Sequence, residues 1–387
     1  MKKILLGTTG LIGAVLLSAA ANAGTPKVTL GGFADFQAGF TSDDEDDNRR
    51  DTAFRNDNEV SIRVDGKTDG GLGYGAVIDL EADITDDVNS QGDNAARTFT
   101  YLEGGWGRVE LGGNKSASAT LSVDASSLAV ATGGINGAWV YFVNAPAGGN
   151  TASFISTSRL PTEHGDTTEF GDESTYNATK VTYYTPKFSG FQAGISYTPD
   201  LGARGQTVER IEDAATPDSL VGFGDVINGG VTYDNQFANG LRVAVSVTGE
   251  YAEADDDIAA PSTEREDTEA YNIGGLLGYR GFSIAASYGD WSESGQLDGS
   301  DDEGDYYTVG AGYEAGPFGV SATYLSSQLD VAGEENEFDN IVLGADYKLA
   351  PGLTPYAEVS FYDFDEGGVG GLQNDGTTFL LGTQVAF

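Results

Sequence analysis

The chain has no cysteine, one histidine, one methionine and ten prolines among its 387 residues. Without thiols there is no disulfide framework and no thiolate metal site. The lone His164 is the one imidazole around which a Ser-His-acid arrangement would have to be built. It lies beside Glu163 and Asp166 in a polar stretch, where a solvated histidine is the simpler reading. Beyond the N-terminal segment no run of about 18 apolar residues occurs, so no transmembrane helix is expected. Bases are scarce as well. Twenty Lys and Arg stand against 60 Asp and Glu, a formal net charge of −40. That balance excludes a non-specific nucleic-acid binder, which needs a basic footprint. The acids fall in bursts between apolar, aromatic segments rather than in one tail, which argues for solvated loops over general disorder.

What the chain does have is 56 glycines, 19 tyrosines and 19 phenylalanines. This mix suits strands joined by tight turns. Met1-Lys2-Lys3, an apolar stretch from Ile4 to Leu17 and the small-residue site Ala21-Asn22-Ala23 read as a secretory signal peptide over 1–23. The remainder, 24–387, is expected to be a single domain. At the other end, Phe387, Val385, Thr383, Leu381 and Phe379 share one face of a strand, so the terminus itself is expected to be built into a sheet. An exported, strand-rich chain closed by Phe387 points to the outer membrane of a Gram-negative cell.

Alternation recurs along the chain. In 55–65, Arg55, Asp57, Glu59, Ser61, Arg63 and Asp65 oppose Val60, Ile62 and Val64. In 72–84, Leu72, Tyr74, Ala76, Ile78, Leu80, Ala82 and Ile84 oppose Asp79, Glu81 and Asp83. In 241–251, valines and Leu241 oppose Arg242, Ser246, Thr248 and Glu250. A charged face in strand after strand, over segments of about ten residues, fits strands with one face to lipid and one to a lumen. Seven short Gly-containing turns, at 68–71, 104–106, 188–190, 237–240, 279–281, 315–317 and 350–352, alternate with eight longer polar connections. Those are 42–54, 86–95, 114–176, 199–225, 252–267, 292–304, 330–337 and 365–375. Fifteen connections imply sixteen strands. The expected fold is all-β, a 16-stranded antiparallel transmembrane β-barrel with short periplasmic turns and long extracellular loops. Closure is required because an open sheet edge cannot hydrogen-bond to lipid.

The connection at 114–176 is too long for a passive loop. It carries Trp139 and Phe142 close together, so it is expected to fold back against the barrel wall. Here the chain resembles the general porins of Gram-negative bacteria, the alphaproteobacterial branch in particular. The residues carrying the resemblance are Val28-Thr29-Leu30-Gly31-Gly32-Phe33, Gly107-Arg108-Val109-Glu110-Leu111-Gly112, the run from Lys180 to Gly194 and the terminal Phe387. The resemblance implies a homotrimer, an inward third loop and a terminal Phe387 read by the barrel-assembly machinery. It also implies an eyelet in which acids of the loop face bases of the wall. The basic candidates are Arg55, Arg63, Arg97 and Lys115; the acidic ones are Asp124, Glu163, Asp166 and Glu169. Asp79, Glu81 and Asp83 are expected to line the lumen.

The expected function is passive diffusion of ions and small hydrophilic solutes through a water-filled channel, with selectivity set by diameter and charge. The acid excess predicts cation preference that fades as salt screens it. The alternatives are a substrate-specific channel, for a sugar or other small solute, and an outer-membrane barrel enzyme. The expected surroundings are the bilayer and lipopolysaccharide. Acidic runs such as Asp43, Asp44, Asp46 and Asp47 offer oxygen ligands for loosely held Ca2+ or Mg2+, and no other cofactor is expected.

Overall fold

The segment Leu241–Ala254 shows what the alternation does. Val245, Val247 and Tyr251 are exposed, whereas Ala244, Ser246, Thr248 and Glu250 are buried. A soluble protein buries its apolar set. The inversion recurs along β-strand after β-strand, with Ile273, Leu277, Ile284, Val309, Val320, Ile341, Leu343, Leu381 and Val385 all exposed. Such a surface is stable where lipid covers it. No helix among the described residues is long and apolar enough to cross a membrane, so the crossing is made by strands.

The computed structural model describes residues 25–44, 50–83, 95–143, 154–163, 175–206, 223–254, 265–331, 333–368, 371 and 373–387. The first eight strands are β1 (Lys27–Asp43), β2 (Thr52–Lys67), β3 (Gly73–Glu81), β4 (Ala95–Gly104), β5 (Gly107–Gly113), β6 (Thr179–Tyr184), β7 (Phe191–Asp200) and β8 (Phe223–Gln236). The others are β9 (Leu241–Ala254), β10 (Thr268–Tyr279), β11 (Phe282–Ser292), β12 (Gly304–Ala315), β13 (Phe318–Val331), β14 (Glu334–Tyr347), β15 (Leu353–Glu366) and β16 (Gln373–Ala386). Each pairs antiparallel with its sequence neighbours, and β1 pairs with β16 to close the barrel. The seam is extended by reciprocal bonds of 3.1 and 3.0 Å between Gly32 and Phe387.

The short turns lie on one rim. At 280–281 both Arg280 (φ 51°) and Gly281 (φ 89°) have positive φ, as a two-residue hairpin that follows the strand twist requires. Outward aromatic pairs stand beside these turns: Phe191 with Tyr233, Phe282 with Tyr313 and Phe318 with Tyr347, at 4.8, 4.3 and 4.6 Å between ring centroids. Tyr271 with Tyr288 and Tyr307 with Tyr324 mark the other end of the same wall. These are the two aromatic girdles of a spanning barrel.

One connection differs from the sequence reading. Residues 330–337 read as a long polar loop, but β13 and β14 stay paired through Val331↔Glu334, with Gly333 at φ 78° beside that last pair. Acidic side chains disfavour a strand only where lipid or a dry core must receive them. Beyond the membrane a ladder continues at no such cost, so the strand count stands while this loop becomes a hairpin.

Candidate functional site: the inward loop and the passage beside it

The connection from β5 to β6 turns into the barrel. Its first element is the short helix α1 (Ala117–Leu121), capped by Ser116, whose hydroxyl accepts from the Ala119 N–H at 3.1 Å. Single 3-10 turns follow at Ala125–Leu128, Gly134–Asn136, Ala138–Phe142 and Pro161–Glu163. An irregular chain inside a barrel leaves many backbone donors without helix or ladder partners, and each needs an acceptor. The wall supplies them. The N–H groups of Ala117, Val123, Ala125, Val130 and Ile135 donate to the hydroxyls of Ser196, Ser246, Thr308, Ser321 and Thr323, at 2.8 to 3.2 Å.

Two buried wall carboxylates make stronger brackets. Glu250 of β9 accepts from both the N–H and the hydroxyl of Thr162, at 2.8 and 2.7 Å. Glu358 of β15 accepts from the N–H and hydroxyl of Thr132, at 3.2 and 2.5 Å. Glu358→Ala is expected to strand both Thr132 donors and weaken the loop's attachment by about 1–3 kcal/mol. Single-channel recording should then show flicker that the native protein lacks.

Apolar contacts fix the far part of the loop. Trp139 stacks between Phe338 and Tyr362, with centroids 6.0 and 6.1 Å away. Phe154 meets Phe364 edge-on at 5.1 Å. The Phe142 ring occupies the space above Gly39, where an added Cβ would lie 2.1 Å from it. This is a true dry core, formed on the inner wall by β13–β16 and the loop.

Two cavities remain beside the loop, of about 500 and 640 Å3. The larger lies between the loop and the wall formed by β1–β4, and Arg55, Arg97, Asp35, Asp57, Glu59 and Glu81 line it. Arg55 donates to Gln37 (3.2 Å) and Asp57 (3.0 Å), and its guanidinium lies 3.9 Å from the centre of the Tyr141 ring on the loop. Arg97 pairs at 2.5 Å with the fully buried Asp79, which also accepts from Ser61. Arg63 is elsewhere. It pairs with Asp65 beside Tyr101 and lines neither cavity.

The loop contributes cations to this passage. Lys115 lines both cavities, and so does Arg159, which the sequence reading did not select. Both stand over the ring of Tyr176, at 4.7 and 5.0 Å. A signal for Arg159 existed, because it and Lys115 are the only Lys or Arg between residues 114 and 176.

Asp124 and Glu163 line the smaller cavity only. Both are buried and held within the loop. Asp124 accepts from Ser126 (2.6 Å), from the Ser127 N–H (3.2 Å) and from Ser158. Glu163 accepts from Ser116 (2.8 Å) and Ser118. Burial pushes the Glu163 carboxyl above the usual carboxylate range, against the lowering pull of the two serines and of Arg159. The structure therefore sets cations, not these two acids, opposite Arg55 and Arg97 on the loop side of the larger cavity.

Asp57, Glu81 and Asp83 bring carboxylate oxygens within 4.8 Å of one another, and Asp83 also accepts from Asn58. Asp43 accepts from the Tyr362 hydroxyl at 2.9 Å, and the Asp44 N–H donates to Asn374 at 3.1 Å. Asp46, Asp47, His164, Asp166, Glu169 and segment 1–23 lie outside the described residues.

The family model for Gram-negative porins matches residues 8–367. Full-length relatives include an uncharacterized protein of Rickettsia bellii, 28% identical with all of both chains aligned. Another from Rickettsia conorii is 27% identical over 93% of each. Among solved structures, the anion-selective porin of Comamonas acidovorans superposes with a TM-score of 0.62 at 20% identity, over 94% of this chain and all of that one. A variant of the Rhodobacter blastica porin gives 0.55 at 17%, over 93% and all. With a closed sixteen-strand barrel, a lipid-compatible outer face and a charged passage inside, the chain belongs to the Gram-negative porin family and is a channel-forming β-barrel of the outer membrane.

Proposed function

We propose that the protein is a passive-diffusion channel for ions and small hydrophilic solutes, preferring cations at low ionic strength. The observation that carries this reading is a polar passage beside an inward loop that is held to one wall by hydroxyls and carboxylates. Charges of both signs line it. Asp35, Asp57, Glu59 and Glu81 are balanced by Arg55, Arg97, Lys115 and Arg159. Opposed charges in a narrow passage order water and disfavour apolar solutes, which cannot replace the hydrogen bonds they displace.

Because the passage is balanced, the cation preference rests on the acid excess of the whole chain acting at the mouths. The anion selectivity named for the Comamonas protein is the opposite sign, so a reversal potential separates the two. The working form is proposed to be a homotrimer of residues 24–387, released from a signal peptide over 1–23. Planar-bilayer recording of the refolded mature protein tests this reading. Stable ohmic openings arriving in threes support it, and a folded, detergent-soluble barrel that passes no current overturns it. Phe387 is proposed as the signal read by the assembly machinery. Its deletion should lower the assembled yield in cells while leaving refolding in detergent intact; equal yields in cells would remove that role.

A further inference from the structure

The two cavities share five lining residues, Lys115, Thr132, Asn136, Arg159 and Tyr176. These residues form the junction where the compartments meet. Three of their side chains are engaged elsewhere. The Thr132 hydroxyl is given to Glu358, the Asn136 amide bonds with Ser158 at 2.8 Å, and the Tyr176 ring lies under the two cations. That leaves an ammonium and a guanidinium as the available donors.

The other lumenal cations are engaged, Lys180 by the backbone carbonyls of Asn114 and Ala178, to which its ammonium donates at 2.5 and 2.6 Å. Arg55, Arg63, Arg97, Arg108 and Arg242 each lie within 3.1 Å of a carboxylate oxygen. Lys187 and Lys348 are paired too, with Asp234 and Glu314. Lys115 and Arg159 have no ion pair among the described residues, and both are half-exposed. The described acids of the loop are occupied, Asp124 by three serines and Glu163 by two. Glu163 is near enough to feel Arg159 without forming an ion pair with it. Two positive charges with no ion pair among the described residues thus stand at the junction of a strongly acidic protein.

A guanidinium offers a planar fork of donors that matches a carboxylate or phosphate, and an ammonium adds a point charge beside it. We propose that Lys115 and Arg159 form an oxyanion station at the junction, holding small solutes that bear a carboxylate or phosphate as they cross. The inference rests on the porin reading above and adds a solute class to it. The Tyr176 ring keeps the two cations near one another despite their repulsion, through attraction to its face. An oxyanion bound there would obstruct the passage during its stay. The station thereby converts an anion's transit into a measurable block of the ion current.

The test is single-channel current in KCl with succinate or inorganic phosphate added, and succinamide as the uncharged comparison. Either oxyanion should reduce the current in a concentration-dependent way, and succinamide should not. In the double variant K115Q/R159Q the half-blocking concentration should rise at least about tenfold, and the cation preference should increase. The charge-preserving pair K115R/R159K should restore the block. Arg159→Gln alone serves if the double variant fails to refold, with the same direction of change. Block by succinate alone, or by phosphate alone, would assign the station to carboxylates or to phosphates. Normal conductance without block by either, or an unchanged block in K115Q/R159Q, overturns the station while leaving the porin intact. The absence of any native conductance removes the porin reading and this inference together.

Discussion

Replacing Gly274 with valine is expected to lower the mean single-channel current and introduce rapid flicker, in a barrel that still folds. Gly274 lies on the inner face of β10, where a Cβ would sit 1.6 Å from the carbonyl oxygen of Val123 in the inward loop. That oxygen belongs to backbone, so no rotamer change relieves the clash. The loop must leave the wall at 122–124, breaking the 2.9 Å bond from the Val123 N–H to Ser246. Overpacking of this kind costs about 1–3 kcal/mol. The displaced segment has only the passage side to move into. The neighbouring Gly275 is the control, since a Cβ there would meet only the Ala244 carbonyl oxygen at an ordinary 3.6 Å. Gly275→Ala should conduct as the native protein does. Native-like current in Gly274→Val would contradict a loop pressed against β10.

The second large effect is in the salt dependence of selectivity. Screening lengths fall from about 30 Å at about 0.01 M salt to about 3 Å at about 1 M. At low salt the acid excess at the mouths reaches into the passage, and the reversal potential in a KCl gradient should report a clear cation preference. At high salt only charges lining the passage act, and those of each cavity balance four against four. The preference should therefore fall close to zero. A cation preference retained at high salt would mean that unpaired acids sit in the passage itself. Anion preference at low salt would contradict the mouth-charge account altogether.

The barrel was legible in the sequence because a lipid-facing strand imposes a period of two that its neighbours repeat. The segments 55–65, 72–84 and 241–251 carry that period through charged residues, and all three fall on observed strands or their immediate ends. Trp139 and Phe142 likewise announce a loop with something to pack on, and they find Phe338, Tyr362 and the space above Gly39. The polar run at 330–337 misleads, because acidity indicates solvent without excluding a ladder in solvent.

The details of the passage were less legible, for a different reason. Glu250 and Glu358 look like any lumen-facing acids of their strands. What makes them brackets is the arrival of Thr162 and Thr132 from 88 and 226 residues away. Asp124 and Glu163 look like eyelet acids until the serines that surround them are placed. An irregular loop has no period, so which of its charges face water follows from tertiary contacts alone. Arg159 illustrates this, reaching the junction from within a run that otherwise packs against β10–β13.

The central claim is that small hydrophilic solutes diffuse through this barrel past an inward loop. The most direct measurement is the swelling of liposomes that contain the refolded mature protein, in iso-osmotic uncharged sugars of increasing size. The account predicts uptake that falls smoothly with solute size and does not saturate with concentration. No swelling with any solute, or saturable uptake of one solute alone, would contradict it.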